Sequence, residues 1–333
     1  MPRKPYYTGP ASDHFDGTRF FNPGHPLPDR SLREVLRWQF AGRKARWPDH
    51  VPVTPASPLA RSTAARLTMV GHATVLIQIA GLNLLTDPVW SDRASPLGFA
   101  GPRRVTAPGI AFDDLPPIDV VLISHNHYDH LDTGTLRRLQ LAHDPLMVMP
   151  LGTDATVRGA VPGARILVGD WGDRIDLSAA VTVTLTPAQH WSSRGLRDRR
   201  MALWCGYWIE TNHGSVWFAG DTGYGDGALF RGIGRRFGSP DMALIPIGAY
   251  APRWFMAAQH VAPEESVRIF TDVGAAVARG IHWGTFQLTD EAREAPVEAL
   301  KVAVAAAGIS AGRFRAFAPG AVWTGGDRAR EGG

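Results

Sequence analysis

A chain of 333 residues, 44% hydrophobic and 20% charged, can bury one large core or two ordinary ones and is no disordered polypeptide. Its formal charge of +4 is too mild to point to a polyanion, and no aromatic–basic interleaving suggests a nucleic-acid groove. One cysteine, Cys205, excludes an internal disulfide and any multi-cysteine metal site. No stretch approaches the roughly 18 apolar residues of a membrane span, and Met1–Pro10 lacks the apolar segment of a secretory signal. The expectation is a cytoplasmic protein.

Residues 1–60 are proline-rich, with one helix expected over Ser31–Phe40. Ser31 stands as its N-cap, Glu34 completes a capping box, and Leu32, Val35 and Leu36 share a face. This part reads as an irregular arm wrapped on a single domain, residues 61–333. From Arg66 onward short strands follow one another. Thr74–Ile79 and Leu82–Thr86 flank the hairpin signal Ala80-Gly81, and Asp119–Ser124 is an apolar run suited to a strand buried on both faces. Further strands are expected at Leu146–Met149, Arg165–Val168, Val181–Thr186, Leu203–Ile209, Ser215–Ala219, Met242–Pro246, Gly280–Trp283, Phe314–Phe317 and Ala321–Trp323. Helices are expected at Thr133–His143, Gly227–Phe237, Pro263–Asp272 and Asp290–Ala307. The pattern is that of an α/β protein with layered sheets and outer helices. The basic run Arg194–Arg200 reads as a solvated loop; a patch for an anionic substrate or a membrane surface is the sharper alternative.

The informative stretch is Ser124-His125-Asn126-His127-Tyr128-Asp129-His130. Three histidines and an aspartate directly after a buried strand are ligands suited to zinc and similar ions. One short loop cannot wrap four ligands around a single ion. Two ions sharing it is easier, with His125 and His127 on one and Asp129 and His130 on the other. Other strand ends supply more candidates: His190, Asp221 and His282.

H-x-H-x-D-H followed by His190, Asp221 and His282 resembles the metallo-β-lactamase-fold hydrolases. Val70–Thr74, Thr86-Asp87-Pro88, Leu115–Asp119, Thr186–Trp191, Phe218–Tyr224, Ile245–Phe255, Gln259–Glu265 and Ile281–Phe286 resemble the N-acyl-phosphatidylethanolamine-hydrolysing phospholipase D family. Phe21-Asn22-Pro23 and Val35–Trp38 echo its N-terminal pieces. The resemblance implies an αββα four-layer sandwich with two Zn2+ ions in a cleft at the sheet edges, Mn2+ or Fe2+ being alternatives. It implies His125, His127 and His190 on one ion, Asp129, His130 and His282 on the other, and Asp221 bridging. No β-lactamase activity follows from the fold.

The implied reaction is attack of a metal-bound hydroxide on a phosphodiester. The expected substrate is N-acyl phosphatidylethanolamine or a related glycerophospholipid, and the products are phosphatidate and an N-acylethanolamine. Asp129, Asp221 and His260 are the expected catalytic groups. Asp87 is expected to accept the far N–H of a ligand histidine. His72, Gln259, Tyr128, Trp191, Tyr224 and Tyr250 are expected behind the ligands or against substrate, and Trp254, Phe255 and Phe286 adjoin the same motifs. A lactonase or nuclease of the same fold, and a non-catalytic metal-dependent binding protein, are the competing readings. Expected partners are the phospholipid, a peripheral membrane surface and, as the resemblance allows, a second copy in a homodimer; no nucleic acid is expected.

Overall fold

A computed structural model describes residues 6–327 apart from positions 28, 43 and 196, so the ends of the expected arm and domain lie outside it. The arm's helix α1 (Leu32–Ala41) forms as its capping signals dictate: Ser31 accepts from Glu34 N, and the Glu34 carboxylate accepts from Ser31 N. Its apolar face is a correction to the expected one. Leu32 and Leu36 point to solvent, and Trp38 makes the contact with the domain.

Among the described residues fourteen strands form two seven-stranded sheets. The first contains β1 (Arg66–Gly71), β2 (Thr74–Ile79), β3 (Leu82–Thr86), β4 (Val120–Leu122), β5 (Leu146–Pro150), β6 (Arg165–Gly169) and β14 (Val322–Thr324), ordered β14-β1-β2-β3-β4-β5-β6. The second contains β7 (Arg174–Ser178), β8 (Val181–Thr186), β9 (Gly206–Thr211), β10 (Gly214–Phe218), β11 (Met242–Pro246), β12 (Val277–Ile281) and β13 (Phe314–Ala316), ordered β13-β12-β11-β10-β9-β8-β7. Ala80 and Gly81 both take positive φ, 49° and 81°, as a two-residue hairpin turn demands.

Strand alternation builds the layers. Val120 and Leu122 face the core between the sheets with Tyr207, Phe218 and Leu244, while Val121 packs outward with Leu136 and Leu139 of α2 (Thr133–His143). A strand covered on both faces is apolar throughout, which is why Asp119–Ser124 is legible as one. Beside α2 lies α3 (Asp154–Ala160), which sends Val157 into the same layer. On the other side Trp217, Ala243 and Ile245 meet Phe230 of α4 (Ala228–Phe237), Phe270 of α6 (Pro263–Val273) and Leu300 of α7 (Ala295–Ala306). The short helix α5 (Arg253–Met256) joins β11 to α6. This is the four-layer αββα sandwich.

Two expected elements begin later than their periodicity indicates. Residues 290–294 precede α7 because Asp290 binds Trp38 and Ala251, and Glu291 takes the amides of Tyr250 and Ala251. Leu203 and Trp204 precede β9 because they pack on arm residues Phe15 and Phe20.

Candidate metal centre

The centre forms where strands from both sheets end. His72 follows β1, Asp87 follows β3, and His125–His130 occupy the loop between β4 and α2. From the second sheet His190 follows β8, Asp221 follows β10 and His282 follows β12. Glycine allows the approach at two points. A Cβ on Gly248 would lie 2.2 Å from the His282 carbonyl oxygen, and one on Gly220 2.7 Å from that of Cys205. Several non-glycine residues here sit at positive φ: His72 58°, Asp87 34°, Ala249 61° and His282 61°. Such conformations persist where surrounding contacts over-determine them; the His282 N–H, for one, donates to the His72 carbonyl at 2.8 Å.

Among the described residues four overlapping groups of ligand-type atoms form, and two of them share no residue and take in most of the donors. In one, His125 Nε2 and His190 Nε2 lie 2.9 and 3.3 Å from His127 Nδ1. In the other, His72, Asp129, His130 and His282 converge, with Asp129 Oδ2 2.9 Å from His72 Nε2 and 3.3 Å from His282 Nε2. Asp221 stands between them. Its Oδ2 is 3.1 Å from both His130 Nε2 and His282 Nε2, and 3.9 Å from His190 Nε2.

A family model described as the β-lactamase superfamily domain matches residues 82–283. The chain belongs to the β-lactamase superfamily. Within it the chain is 39% identical over 229 residues to the N-acyl-phosphatidylethanolamine-hydrolyzing phospholipase D 1 of Caenorhabditis elegans, covering 66% of this chain and 64% of that protein. It thus spans just under two thirds of that relative's length. An uncharacterized protein of Mycobacterium tuberculosis is also 39% identical, over 83% of this chain and 74% of its own. Among solved structures, the isothiocyanate hydrolase from Delia radicum gut bacteria aligns with TM-score 0.61 and 21% identity over 78% of this chain and 98% of that one. The superfamily is one of metal-dependent hydrolases, and the donor set here suits a metal.

Tautomers are set from behind. The Asp87 carboxylate accepts from His130 Nδ1 at 2.6 Å, and it also accepts the Ser124 hydroxyl at 2.6 Å. That hydroxyl accepts from His125 Nδ1 at 2.9 Å, and His190 Nδ1 donates to the Gln259 carbonyl at 2.9 Å. In the neutral form of each ring, which a bound cation requires, His125, His130 and His190 would therefore turn the Nε2 lone pair inward. On the inner side, His260 Nδ1 and Asp221 Oδ1 are buried without a protein hydrogen-bond partner. Unpaired buried polar atoms are costly, and their concentration here fits a centre built for bound cations.

Electrostatics divides the histidines. Burial, then neighbouring imidazoles, holds His125 well below its ordinary value and His127 at about 3; burial lowers His190 to about 4. These rings are neutral, as ligation requires. Burial also opposes the charged forms of His130 and His282, but facing carboxylates outweigh it. Asp221, Asp129 and Asp87 raise His130 far up, and Asp221 and Asp129 raise His282 to about 9. Burial disfavours the charged carboxylates of Asp129 and Asp221, yet His130 and its neighbours keep both ionised.

Other expected site residues fall in different places. His260 lies inside, its Nδ1 3.8 Å from Asp221 Oδ2, and Trp191 packs edge-on against His127. Gln259 reaches the centre through its carbonyl; its amide faces Met256 Sδ. Phe286 meets His72 edge-on. Tyr128 lies beneath the loop, its hydroxyl on the Arg194 carbonyl and its ring under the Arg194 guanidinium. Tyr224 points away, donating to Asp272 and stacking on Phe230, so it supports α4 and α6. Tyr250 is half-buried with its amide on Glu291; burial and that carboxylate push its hydroxyl up to about 12.

The basic run is tied down at its two ends, while Arg197 between them is exposed. Arg194 donates to the Asn126 and Leu131 carbonyls, and Arg200 to the Phe20 carbonyl and Asp29. Two supporting residues escaped the sequence reading. Ser124 relays Asp87 to His125, signalled only by its place before the motif. Asn22 bonds the His190 segment, signalled by Phe21-Asn22-Pro23 without a stated role.

Proposed function

We propose that the chain is a di-zinc phosphodiesterase of phospholipase D type, acting on N-acyl phosphatidylethanolamine or a related glycerophospholipid. The observation that carries this is the shared carboxylate, Asp221, between two histidine groups, joined to the 39% identity with the nematode phospholipase D. His125, His127 and His190 would hold one ion, Asp129, His130 and His282 the other, and Asp221 would touch both. Two bound divalent ions supply Lewis acidity, a water acidified to a nucleophile near neutral pH, and charge to balance phosphoryl oxygens.

The chain's own groups supply the rest. Asp87, directly and through Ser124, keeps protons on His130 Nδ1 and His125 Nδ1, so their Nε2 lone pairs stay available. His260 is half-buried, and desolvation holds its ring neutral. Facing Asp221, it would donate its one N–H to a phosphoryl oxygen. In the overall hydrolysis the bond between phosphorus and the ethanolamine oxygen breaks. Water's oxygen joins phosphorus, one of its protons ends on the hydroxyl of N-acylethanolamine, and the other stays on the phosphate of phosphatidate or passes to solvent. Arg194 anchors the ligand loop through the Asn126 and Leu131 carbonyls.

The test is incubation of purified protein with detergent-dispersed N-acyl phosphatidylethanolamine, with products identified by mass spectrometry. N-acylethanolamine and phosphatidate should appear, vanish on chelation and return with Zn2+; parallel Mn2+ and Fe2+ arms identify the metal. Product release that survives chelation and His127→Ala would overturn the reading. So would turnover of lactones or nucleotides with no phospholipid cleavage.

A further inference from the structure

Three of the candidate ligand histidines have an acceptor fixed behind them: Ser124 Oγ for His125, Asp87 for His130 and the Gln259 carbonyl for His190. His127 has none. Its Nδ1 faces His125 and His190, while its outer Nε2 is buried and meets no acceptor among the described residues. His282 also lacks an acceptor, at Nδ1, but it comes directly off β12 and its N–H donates to the His72 carbonyl. Its ring stacks on His130 with centroids 5.1 Å apart. His127 lies in mid-loop, so something other than a hydrogen bond must hold its ring against rotation.

What touches that ring is Trp191. The two ring centroids are 4.6 Å apart at 73°, an edge-to-face contact. The indole Nε1 also meets no acceptor among the described residues, so Trp191 acts on His127 by packing. The Arg199 guanidinium lies over the indole, its Cζ 4.1 Å from the ring centroid. Two features bring Arg199 back over Trp191. The Arg200 N–H donates to the Ser192 carbonyl at 2.7 Å, which closes the loop between them. Asp29 of the arm then takes both arginines, its Oδ1 2.7 Å from Arg199 Nε and its Oδ2 3.1 Å from Arg200 Nη2.

We infer that Asp29, Arg199 and Trp191 form a positioning relay through which the N-terminal arm holds His127 in its metal-binding orientation. A ligand ring without a hydrogen bond behind it keeps its geometry only if the side chains packed on it are themselves locked. The guanidinium over the indole supplies that lock, and the Asp29 carboxylate keeps the guanidinium in place. A rotated His127 would carry Nδ1 away from His125 and His190, breaking up their group. The end of the basic run thereby gains a task distinct from contact with substrate. A wall for the acyl chain is the competing role for Trp191, and it would leave metal binding untouched. The inference rests on the assignment of His127 as a ligand made above, and not on the identity of the substrate.

The experiment is titration of the metal-free full chain with Zn2+ against a chromophoric chelator, with the visible spectrum of the Co2+ form as a second readout. Wild type should bind two equivalents. Trp191→Leu should weaken one of them about tenfold to a hundredfold and change the Co2+ spectrum. Trp191→Phe, which keeps a ring at the contact, should stay close to wild type. Arg199→Gln should weaken the same equivalent about two- to fivefold. In the Trp191→Leu background it should have no further effect, because it acts through the indole. Arg199 is half-buried, so Arg199→Gln decides the matter if Trp191→Leu does not fold. Unchanged affinity and Co2+ spectrum in Trp191→Leu, or in Arg199→Gln if only that variant folds, overturn the inference; a raised KM alone then assigns the indole to substrate. Equal weakening by Arg199→Gln with and without the indole overturns it too. Wild type that binds no ion defeats the metal assignment and the relay together. Two equivalents bound and weakened as expected, with no phospholipid cleavage, defeat the proposed reaction and leave the relay standing.

Discussion

Asn22 of the N-terminal arm brackets the main chain at His190. Its Nδ2 donates to the Ala188 carbonyl at 2.7 Å, and its Oδ1 accepts from the His190 N–H at 3.2 Å. One amide side chain thus pairs both ways with the segment that presents an imidazole to the centre. From the other side Gln259 holds that imidazole by Nδ1. Asn22→Ala should weaken Zn2+ binding about tenfold to a hundredfold, the usual effect of losing a group behind a ligand. Metal-free stability should fall by only about 1 kcal/mol. Calorimetric titration with Zn2+ and the visible spectrum of the Co2+ form separate the two effects. A mutant that loses metal-free stability without any change in Co2+ spectrum or affinity would show that the bracket serves folding alone.

Asp87 is the common support of His130 and, through Ser124, of His125. Asp87→Asn would turn an amide N–H toward the His130 Nδ1–H or give up a bond to Ser124. Moving the His130 proton to Nε2 relieves that clash but removes the lone pair aimed at the centre. Metal affinity should drop about tenfold to a hundredfold, read by competition with a chromophoric chelator. Full affinity in a folded Asp87→Asn protein would contradict the tautomer argument.

The arm is fastened by a charge. His14 is buried and stacks on Trp171, with Nδ1 2.6 Å from Asp13 and Nε2 2.8 Å from Asp170. Both ring nitrogens must donate, so the bonded form is the imidazolium. Burial opposes it, but the two carboxylates prevail and raise the folded-state value above 6.5. Since the folded value is the higher one, this stabilisation is complete below the unfolded value and fades as pH rises through the folded one. The stability difference between wild type and His14→Gln should therefore be largest in mild acid, about 1.5–3 kcal/mol for charge-assisted bonds. It should shrink in alkali. Urea unfolding at the two extremes checks this, and a difference that grows with pH would sink it.

Removing metal should cost stability as well as activity. The centre keeps two carboxylates and several unpartnered imidazole nitrogens buried together, and a ligand that binds the folded state alone stabilises it by mass action. With free Zn2+ about a thousandfold above its dissociation constant the gain is about 4 kcal/mol. Calorimetric scans of chelated and reloaded protein read it as a rise in Tm. Identical scans would mean that no ion binds the folded chain selectively.

Gly248 is held to glycine by proximity. Alanine there would put its Cβ 2.2 Å from the His282 carbonyl oxygen, which belongs to rigid backbone beside a candidate ligand. Gly248→Ala should cost roughly 1–3 kcal/mol, as overpacking does. The shift of His282 should also weaken binding of at least one metal equivalent. Chemical denaturation and metal titration measure these effects, and a wild-type result in both would remove the steric argument.

Much of the fold was legible because its signals are local. A strand covered on both faces, such as β4, is apolar at every position; the Ala80-Gly81 turn needs its two positive φ values; Ser31 and Glu34 start α1 by bonds three residues apart. The β4 loop motif likewise announces ligand chemistry through a few adjacent residues. Which face of α1 would be buried was not legible, because Leu32 and Leu36 are as apolar as any core residue. The choice was made by Trp38, whose indole finds both Phe255 and Asp290. Nor could spacing tell that Tyr224 would spend its hydroxyl on Asp272, or that Arg194 would brace the metal loop. Periodicity by itself pointed to layered sheets with outer helices and the histidine-rich motif to the donors, while the four-layer arrangement followed from the family resemblance. Tertiary structure alone decided how those donors group and which side chains orient them, because hydrogen bonds between residues far apart in the chain depend on where the two sheets bring their ends together.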